Sequence, residues 1–265
     1  MLEPLPTLRN PARPASPCGR HLPASAAFGW LSGGLHDLRT APLSSLVYGG
    51  GLLLISYAVL WVLHTSQLLY LAFPAISGFL IVGPFLAIGL YEKSRRQSGG
   101  EKLTLKHMVA FRPASGGQLA YAGLLLGLLV LFWLRAADLL YALFFGLQPF
   151  PGAGDALINA FTTPRGWILI GTGTLVGGLF AAFAFAISVF SVPMLVSKRT
   201  DALTAMGLSF IMTVQNLRSV LAWGVVVAVG LALSLLTGLI GLVVIFPILG
   251  HGTWHAYTAI AETDA

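Results

Sequence analysis

The sequence predicts an all-α, polytopic membrane protein with about six transmembrane helices, arranged as three helical hairpins that each follow an amphipathic interfacial helix. Three observations support this fold class. Hydrophobic residues make up 56% of the 265 residues and charged residues only 9%, whereas soluble domains carry about 25% charged residues. The apolar residues fall in stretches of about 20, the length that spans a bilayer. Lysines and arginines cluster in alternate loops between those stretches.

The N-terminal region is rich in Pro, Arg and small residues, which is typical of a disordered cytoplasmic tail. The chain then divides into this tail, a single six-helix membrane domain and a short C-terminal tail: residues 1–27, 28–260 and 261–265. Within residues 28–38, apolar side chains recur at helical spacing beside His36 and Asp37. This pattern predicts an interfacial helix, and the first span follows over residues 43–62.

The second span is predicted over residues 68–91, with bends at Pro74 and Pro84. An uncharged turn separates it from the first span, so the two form a hairpin. The most basic part of the chain comes next, over residues 92–112, and a weakly amphipathic pattern there predicts a second interfacial helix.

The third and fourth spans are predicted over residues 118–140 and 167–195, joined by an outer loop that contains Pro and Gly. Residues 201–217 carry apolar side chains at steps of three and four, which predicts a third interfacial helix. Residues 219–256 are too long for one untilted span and are split near Gly238 into a fifth and a sixth helix. A single long tilted helix or a re-entrant hairpin are the alternatives for this last segment.

The orientation follows from the basic residues, which concentrate in the segments placed on the cytoplasmic side. Both termini are therefore predicted to lie in the cytoplasm. The tryptophans are expected to mark the two interfaces as aromatic belts. Those assigned to the outer belt are Trp61, Trp133 and Trp167, and those assigned to the inner belt are Trp30, Trp223 and Trp254.

A threefold pattern runs through the chain. Each third contains an amphipathic stretch, an arginine, an apolar span, an outer turn and a span with a proline near its inner end. The arginines are Arg39, Arg112 and Arg218, the prolines are Pro84, Pro193 and Pro247, and the polar residues eight positions after the prolines are Glu92, Asp201 and His255. This pattern predicts an internal repeat of three parallel hairpins.

The repeat places most polar residues at the cytoplasmic face, where two interpretations are open. In the first, Arg39, Arg112 and Arg218 form structural ion pairs with Glu92 and Asp201. In the second, a cytoplasm-facing metal site uses Glu92, Asp201 and two histidines four residues apart on one helix face. Those histidines are His251 and His255, with His36 as a further ligand.

Two further features concern the third and fourth spans. Arg135 and Asp138 are three residues apart near the outer end of the third span, which predicts a structural ion pair at the headgroups. Glycine pairs at a spacing of four predict close packing of helix backbones. These pairs are Gly123 with Gly127 and Gly173 with Gly177.

Several short motifs resemble one family. They are Gly78-Phe79-Leu80, Gly83-Pro84, Gly89-Leu90-Tyr91-Glu92, Ser94-Arg95-Arg96, Ser191-Val192-Pro193-Met194-Leu195, Phe246-Pro247, Gly250-His251-Gly252 and Trp254-His255. The sequence is similar to proteobacterial integral membrane proteins that are grouped as a domain of unknown function, some of which are labelled candidate cytochrome c oxidase subunits. The resemblance covers roughly Trp30 to Tyr257 and implies a six-helix inner-membrane fold.

No complete catalytic, nucleotide-binding or metal-binding motif occurs in the sequence, so no catalytic residue and no cofactor are predicted. The basic residues lie beside apolar spans and report topology, so a nucleic-acid partner is not expected. The sequence favours a non-catalytic protein that assists, assembles or regulates another membrane complex, such as a respiratory one, or that forms a homo-oligomer. The alternatives are a channel or carrier for a small, weakly polar solute and a protein with the cytoplasm-facing metal site.

Overall fold

The computed structural model describes residues 19–66, 68, 71–101, 105–146 and 152–261, and every regular element in these ranges is a helix. In chain order the helices are α1 (Ala26–Thr40), α2 (Pro42–Thr65), α3 (Ala72–Leu86), α4 (Ile88–Ser98), α5 (Leu105–Val109), α6 (Gly116–Phe145), α7 (Ala153–Thr162), α8 (Pro164–Ser188), α9 (Ser191–Ser197), α10 (Ala202–Gln215), α11 (Leu217–Leu236) and α12 (Leu242–Ala261). Residues 1–18 of the tail predicted over residues 1–27, and the last four residues of the chain, lie outside the described ranges.

Four helical segments in the described ranges are long and apolar enough to cross a bilayer. They are Pro42–Thr65, Gly116–Phe145, Pro164–Ser197, which combines α8 and α9, and Leu217–Leu236. The protein is therefore a multi-pass, all-helical membrane protein, as the composition predicts. The helix α3, with 15 residues, is shorter than these spans, and α12 carries polar residues over its second half.

Two of the predicted spans are broken near their prolines. The span predicted over residues 68–91 ends as α3 at Leu86, and the chain bends at Ala87 before α4 begins. The fourth span bends at Val189 and Phe190 before α9. Pro193 explains this second bend, because it has no N–H to donate to the carbonyl four residues earlier.

The outer connection between α6 and α8 differs from its prediction as a loop. Residues Ala153–Thr162 form the amphipathic helix α7, which packs against α8. The Pro and Gly residues that suggested a loop all lie at or before the start of α7. From Asp155 to its last residue, α7 contains neither Pro nor Gly. Helix α6 also continues to Phe145, beyond the predicted end of the third span.

A helix is confirmed over the third segment predicted to be interfacial, as α10, and the structure adds which of its faces is buried. The large residues Leu203, Phe210 and Val214 are exposed on the surface of the protein. The small residues Ala202, Ala205 and Ser209 are buried, so α10 packs closely on α8 and leaves its large apolar side chains for the lipid.

The final predicted segment forms two helices, α11 and α12, that are separated by a turn over residues 237–241. Gly238 and Leu239 have φ angles of 62° and 70° in this turn. Glycine adopts such angles without steric cost, whereas a leucine there is strained. Thr237 supports the turn because its Oγ1 accepts a hydrogen bond from the Gly241 N–H at 2.9 Å.

The core differs from the predicted set of sequential hairpins. Helix α12 packs against α1, α2, α4 and α11, while α3, α6 and α8 pack against one another. The first span, α2, therefore contacts α12, the last helix of the chain, more extensively than it contacts the second span, α3. Four of the six tryptophans predicted for the interfacial belts are buried instead, and only Trp61 and Trp167 are exposed. The buried ones are Trp30, Trp133, Trp223 and Trp254.

The glycine pairs contribute one close contact each. A Cβ at Gly123 would lie 2.7 Å from the Phe85 ring, and a Cβ at Gly177 would lie 2.7 Å from the Trp133 ring. At the other member of each pair, Gly127 and Gly173, a Cβ would have no neighbour within 4 Å. Close packing is therefore limited to single positions and is not a continuous backbone contact between α6 and α8.

Candidate functional site

The most unusual feature of the protein is a group of buried polar side chains where α1, α2, α4 and α12 meet. We call this group the polar network and define it by Asp37, Ser45, Lys93, Ser94 and His251. Each of these residues exposes at most 5% of its surface. Burying charges and hydroxyl groups is costly unless they form hydrogen bonds, so the contacts of each group are informative.

Close approach of the helix backbones brings these side chains together. A Cβ at Gly34 of α1 would overlap the Ile248 carbonyl oxygen of α12, so only glycine permits this separation. On the other side of α12, a Cβ at Gly250 would lie 2.5 Å from a Leu90 methyl group. Glycines on α1 and α12 thus allow Asp37, Lys93 and His251 to reach one another.

Lys93 binds the C-terminal end of α1. Its Nζ donates hydrogen bonds to the Asp37 and Ala41 carbonyl oxygens at 3.3 Å and 2.7 Å and to Ser45 Oγ at 2.6 Å. An ammonium group has three donors, so this set accounts for all of them. The final carbonyls of a helix lack partners within the helix and carry partial negative charge, so a buried cation is stabilised here.

The remaining hydrogen bonds have a single consistent direction. Because Lys93 only donates, Ser45 Oγ accepts from it and gives its own proton to His251 Nε2, which is 2.9 Å away. His251 Nδ1 carries the ring proton, because Ser94 Oγ gives its own hydrogen to the Asp37 carboxylate and therefore accepts from His251 Nδ1 at 2.8 Å. Ser94 in turn donates to Asp37 Oδ2 at 2.6 Å. The network therefore runs from a cation to an anion through a neutral histidine of defined tautomer.

Asp37 is the anionic end of the network. In addition to Ser94, its carboxylate is 3.0 Å from His255 Nε2 and 3.3 Å from Gln97 Nε2. Burial alone would raise the pKa of Asp37, but the hydrogen bonds with His255 and Ser94 hold it below its ordinary value. The carboxylate is therefore ionised across the physiological pH range.

Lys93 has the opposite behaviour. Burial lowers its pKa to about 8, and the negative charge of Asp37 limits this decrease. The Lys93 ammonium is therefore close to its titration range at neutral pH, which is rare for a lysine.

The structure separates the residues of the predicted metal site. Glu92 binds Arg95 Nε at 2.8 Å and also Arg96, although it is adjacent to Lys93 in sequence. Asp201 caps α10, where its Oδ1 accepts from the Thr204 N–H at 2.8 Å. Of the predicted histidine pair, His251 belongs to the network and His255 contacts its Asp37 carboxylate, while His36 is exposed. Among the described residues, no group of three His, Cys, Asp or Glu side chains could hold a metal ion.

The predicted ion pairs also differ from those in the structure. Arg39, Arg112 and Arg218 are exposed, and none of them belongs to an ion pair within the described ranges. Glu92 is paired with Arg95 and Arg96 of its own helix, and these contacts hold the pKa of Glu92 below its ordinary value despite its burial. The predicted contact between Arg135 and Asp138 is present at 3.4 Å on an exposed surface.

Sequence reasoning missed four of the five residues of the network. A signal for Asp37 exists, because Trp30, Gly34 and Asp37 recur at steps of four and three and all three are buried on one face of α1. Lys93 and Ser94 offer no comparable signal, because they lie in a strongly charged segment whose pattern is typical of an exposed helix. Their burial depends on the bend after Pro84, which turns α4 toward α1 and α12.

The side chains of the polar network bond to one another and to backbone carbonyls, and this limits the chemistry that they can perform. Each polar atom of Lys93, Ser45, His251 and Ser94 that the network uses has a partner inside the protein, and no nucleophile of the network faces an open cleft. In the described part of the chain, the buried side-chain atoms with no hydrogen-bond partner are Gln97 Oε1 and Ser188 Oγ. The network therefore links α1, α2, α4 and α12 through hydrogen bonds between buried side chains.

The comparisons with known proteins agree with the membrane assignment. Residues 71–197 match the model of a family described as a predicted integral membrane protein, DUF2189. This match covers α3 through α9, including the helix that carries Lys93 and Ser94. No curated protein and no solved structure matches the chain. The chain is thus a multi-pass membrane protein that is similar, over this central part, to a family of unknown function.

Proposed function

We propose that the protein is a non-catalytic accessory, assembly or regulatory partner of another complex in the bacterial inner membrane, such as a respiratory complex. The observation that supports this role best is the closed polar network. It uses a buried lysine, aspartate and histidine to fix α1, α2, α4 and α12 relative to one another. Helices fixed in this way present a surface that is formed before a partner binds, and most preorganised interfaces move little on binding.

We further propose that α3 and α12 cross the membrane together with the four long helices, which gives six crossings and cytoplasmic termini. The packing supports the threefold pattern of the sequence. Each third of the chain is one unit, and in a closed arrangement the third unit precedes the first. The interfacial helices α1, α5 and α10 pack on helices of the preceding unit, which are α12, α4 and α8 respectively. The first spans α2 and α6 likewise pack on the preceding α12 and α3.

Copurification from gently solubilised membranes tests the proposed role. The full-length protein, tagged at its C-terminus and expressed at its native level, is expected to retain a membrane-protein partner in stoichiometric amount. The variants Arg95→Gln and Lys106→Gln each remove one exposed cation of the basic segment. The amount of partner that each variant retains compares a position close to the network with one distant from it. Recovery of a stable, partner-free oligomer under the same conditions would contradict the proposal.

A carrier for a small, weakly polar solute is the second candidate. A cavity of about 640 Å³ between α3, α8, α11 and α12, lined in part by Pro84, supports this alternative. Proteoliposomes that contain the purified protein would then take up a small, weakly polar solute, such as a short-chain amide, faster than empty vesicles, and equal rates would exclude transport of that solute. The metal site remains a prediction that elemental analysis of the purified protein can test.

A further inference from the structure

The cavity between α3, α8, α11 and α12 is almost entirely apolar. We call it the α8–α11 cleft, and it is lined mainly by Leu, Val, Ala and Phe side chains. The few Ser and Thr hydroxyl groups in its lining are engaged by backbone carbonyls. Thr253 donates to the Leu249 carbonyl at 2.8 Å, and Ser234 donates to the Gly230 carbonyl at 2.9 Å. The cleft therefore suits a hydrocarbon chain better than a solute that needs hydrogen bonds.

The cleft opens sideways between two helices that are long enough to span the bilayer. Large apolar residues on both helices form its rim and are about half exposed or more: Leu179, Phe183, Leu221 and Val225. Because both helices lie in the membrane, the mouth of the cleft faces the lipid and not water. The occupant must enter from the hydrocarbon phase.

The cleft exists because one interface of the threefold arrangement is loose. At the two equivalent interfaces, a Cβ at Gly49 would overlap the Val243 carbonyl oxygen, and a Cβ at Gly123 would lie 2.7 Å from Phe85. At the third, a Cβ at Gly224 of α11 would lie 3.6 Å from the Phe185 ring of α8. Of these three positions, Gly224 therefore has the least crowded surroundings, which is consistent with a cleft between α8 and α11.

A cation lies at one end of the mouth. Arg218 is on the first turn of α11, three and seven residues before the rim residues Leu221 and Val225, so it shares their helix face. Its side chain is exposed, and no acidic side chain within the described ranges pairs with it. The distribution of basic residues places this end of α11 at the cytoplasmic surface, where acidic lipids are abundant.

We propose that the α8–α11 cleft binds one membrane lipid with an acidic headgroup, a chain of which fills the cleft while its phosphate pairs with Arg218. The apolar lining selects a hydrocarbon chain, and the guanidinium selects a negative headgroup, which it can bind through two parallel hydrogen bonds. This proposal is independent of the identity of any protein partner.

Native mass spectrometry of the full-length protein in a neutral detergent tests the proposal. The probes are phosphatidylglycerol and phosphatidylcholine with identical acyl chains. The wild-type protein is expected to retain one phosphatidylglycerol molecule, with at least about tenfold preference over phosphatidylcholine. Equal retention of the two lipids, or retention of neither, would overturn the proposal.

Matched variants separate the headgroup from the chain. Arg218→Gln is expected to lose the preference for phosphatidylglycerol, while Arg112→Gln, which changes the corresponding exposed arginine of the second unit, is expected to keep it. Ala228→Phe fills the cleft and is expected to abolish retention of both lipids, while Val229→Phe, at an adjacent exposed position outside the lining, is expected to preserve it. Should Ala228→Phe fail to fold, Gly224→Leu fills the same space. Unchanged preference in Arg218→Gln would refute the role of the guanidinium, and unchanged retention in a folded cleft-filling variant would refute the binding site.

Discussion

The Lys93 side chain links the polar network to the backbone of α1. Two of its three hydrogen bonds go to the Asp37 and Ala41 carbonyl oxygens, which lie at the end of a helix where carbonyls lack partners within the helix. Such a group titrates differently in the folded and unfolded chain. The free energy of unfolding therefore depends on pH, and Lys93 contributes to this dependence.

The direction of this dependence follows from the two pKa values. The pKa of Lys93 is about 8 in the folded protein and 10.5 in the unfolded chain. Between these values the unfolded chain binds more protons, so the free energy of unfolding increases as the pH rises, by at most about 1.4 kcal/mol per pH unit. Below pH 8 both states hold the proton, and the contribution is constant.

Thermal unfolding in detergent between pH 7 and pH 10.5 measures this effect. The wild-type protein and the exposed-lysine variant Lys106→Met are expected to show the same slope. Lys93→Met is expected to lack the part of the slope that arises from Lys93. Parallel profiles for all three proteins would show that Lys93 titrates at its ordinary pKa and is not buried.

At the scale of the helix, the contact between α1 and α12 determines whether the network forms. Gly34 is buried against the Ile248 carbonyl and the Gly252 backbone, whereas a Cβ at Gly29 of the same helix would have no neighbour within 4 Å. Both glycines lie in α1, so their intrinsic effect on helix stability is the same. They differ only in what lies beside them.

Alanine substitutions at these two glycines are therefore expected to have opposite effects. Gly34→Ala pushes α1 away from α12 and is expected to lower the free energy of unfolding by about 1–3 kcal/mol. Gly29→Ala is expected to raise it by about 0.5–1 kcal/mol, because alanine is the better helix former. Chemical or thermal unfolding of the detergent-solubilised protein measures both. Equal effects of the two substitutions would mean that α1 does not pack on α12.

The sequence predicts single helices better than it predicts which of their faces are buried. Apolar periodicity located α10 correctly, but its large residues face the lipid and its small residues face the protein. In water the larger apolar residues are expected inside, whereas in a membrane the lipid offers no such distinction and packing favours small residues. The same reason explains why the buried face of α1 is marked by Gly34 and Asp37, and why Asp37 was not predicted as a site residue.

At the scale of the whole molecule, composition was sufficient for the class and insufficient for the site. An all-helical, multi-pass membrane protein follows from the length and number of the apolar stretches. The polar network joins residues that are up to 206 positions apart, as in the contact between Ser45 and His251. No periodicity within one helix contains such information, because it depends on which helices become neighbours.

The number of crossings depends most on α11 and α12. If both cross the bilayer, the turn at residues 237–241 lies on the outer side, opposite to α5. Single cysteines in a Cys18→Ser background report this directly. Thr237→Cys is expected to react with a membrane-impermeant maleimide in intact spheroplasts, while Lys106→Cys is expected to react only after the membrane is disrupted. Labelling of both positions only after disruption would mean that residues 219–256 form a re-entrant hairpin and that the chain crosses fewer than six times. Labelling of Lys106→Cys alone in intact spheroplasts would mean that the orientation is the reverse of the proposed one.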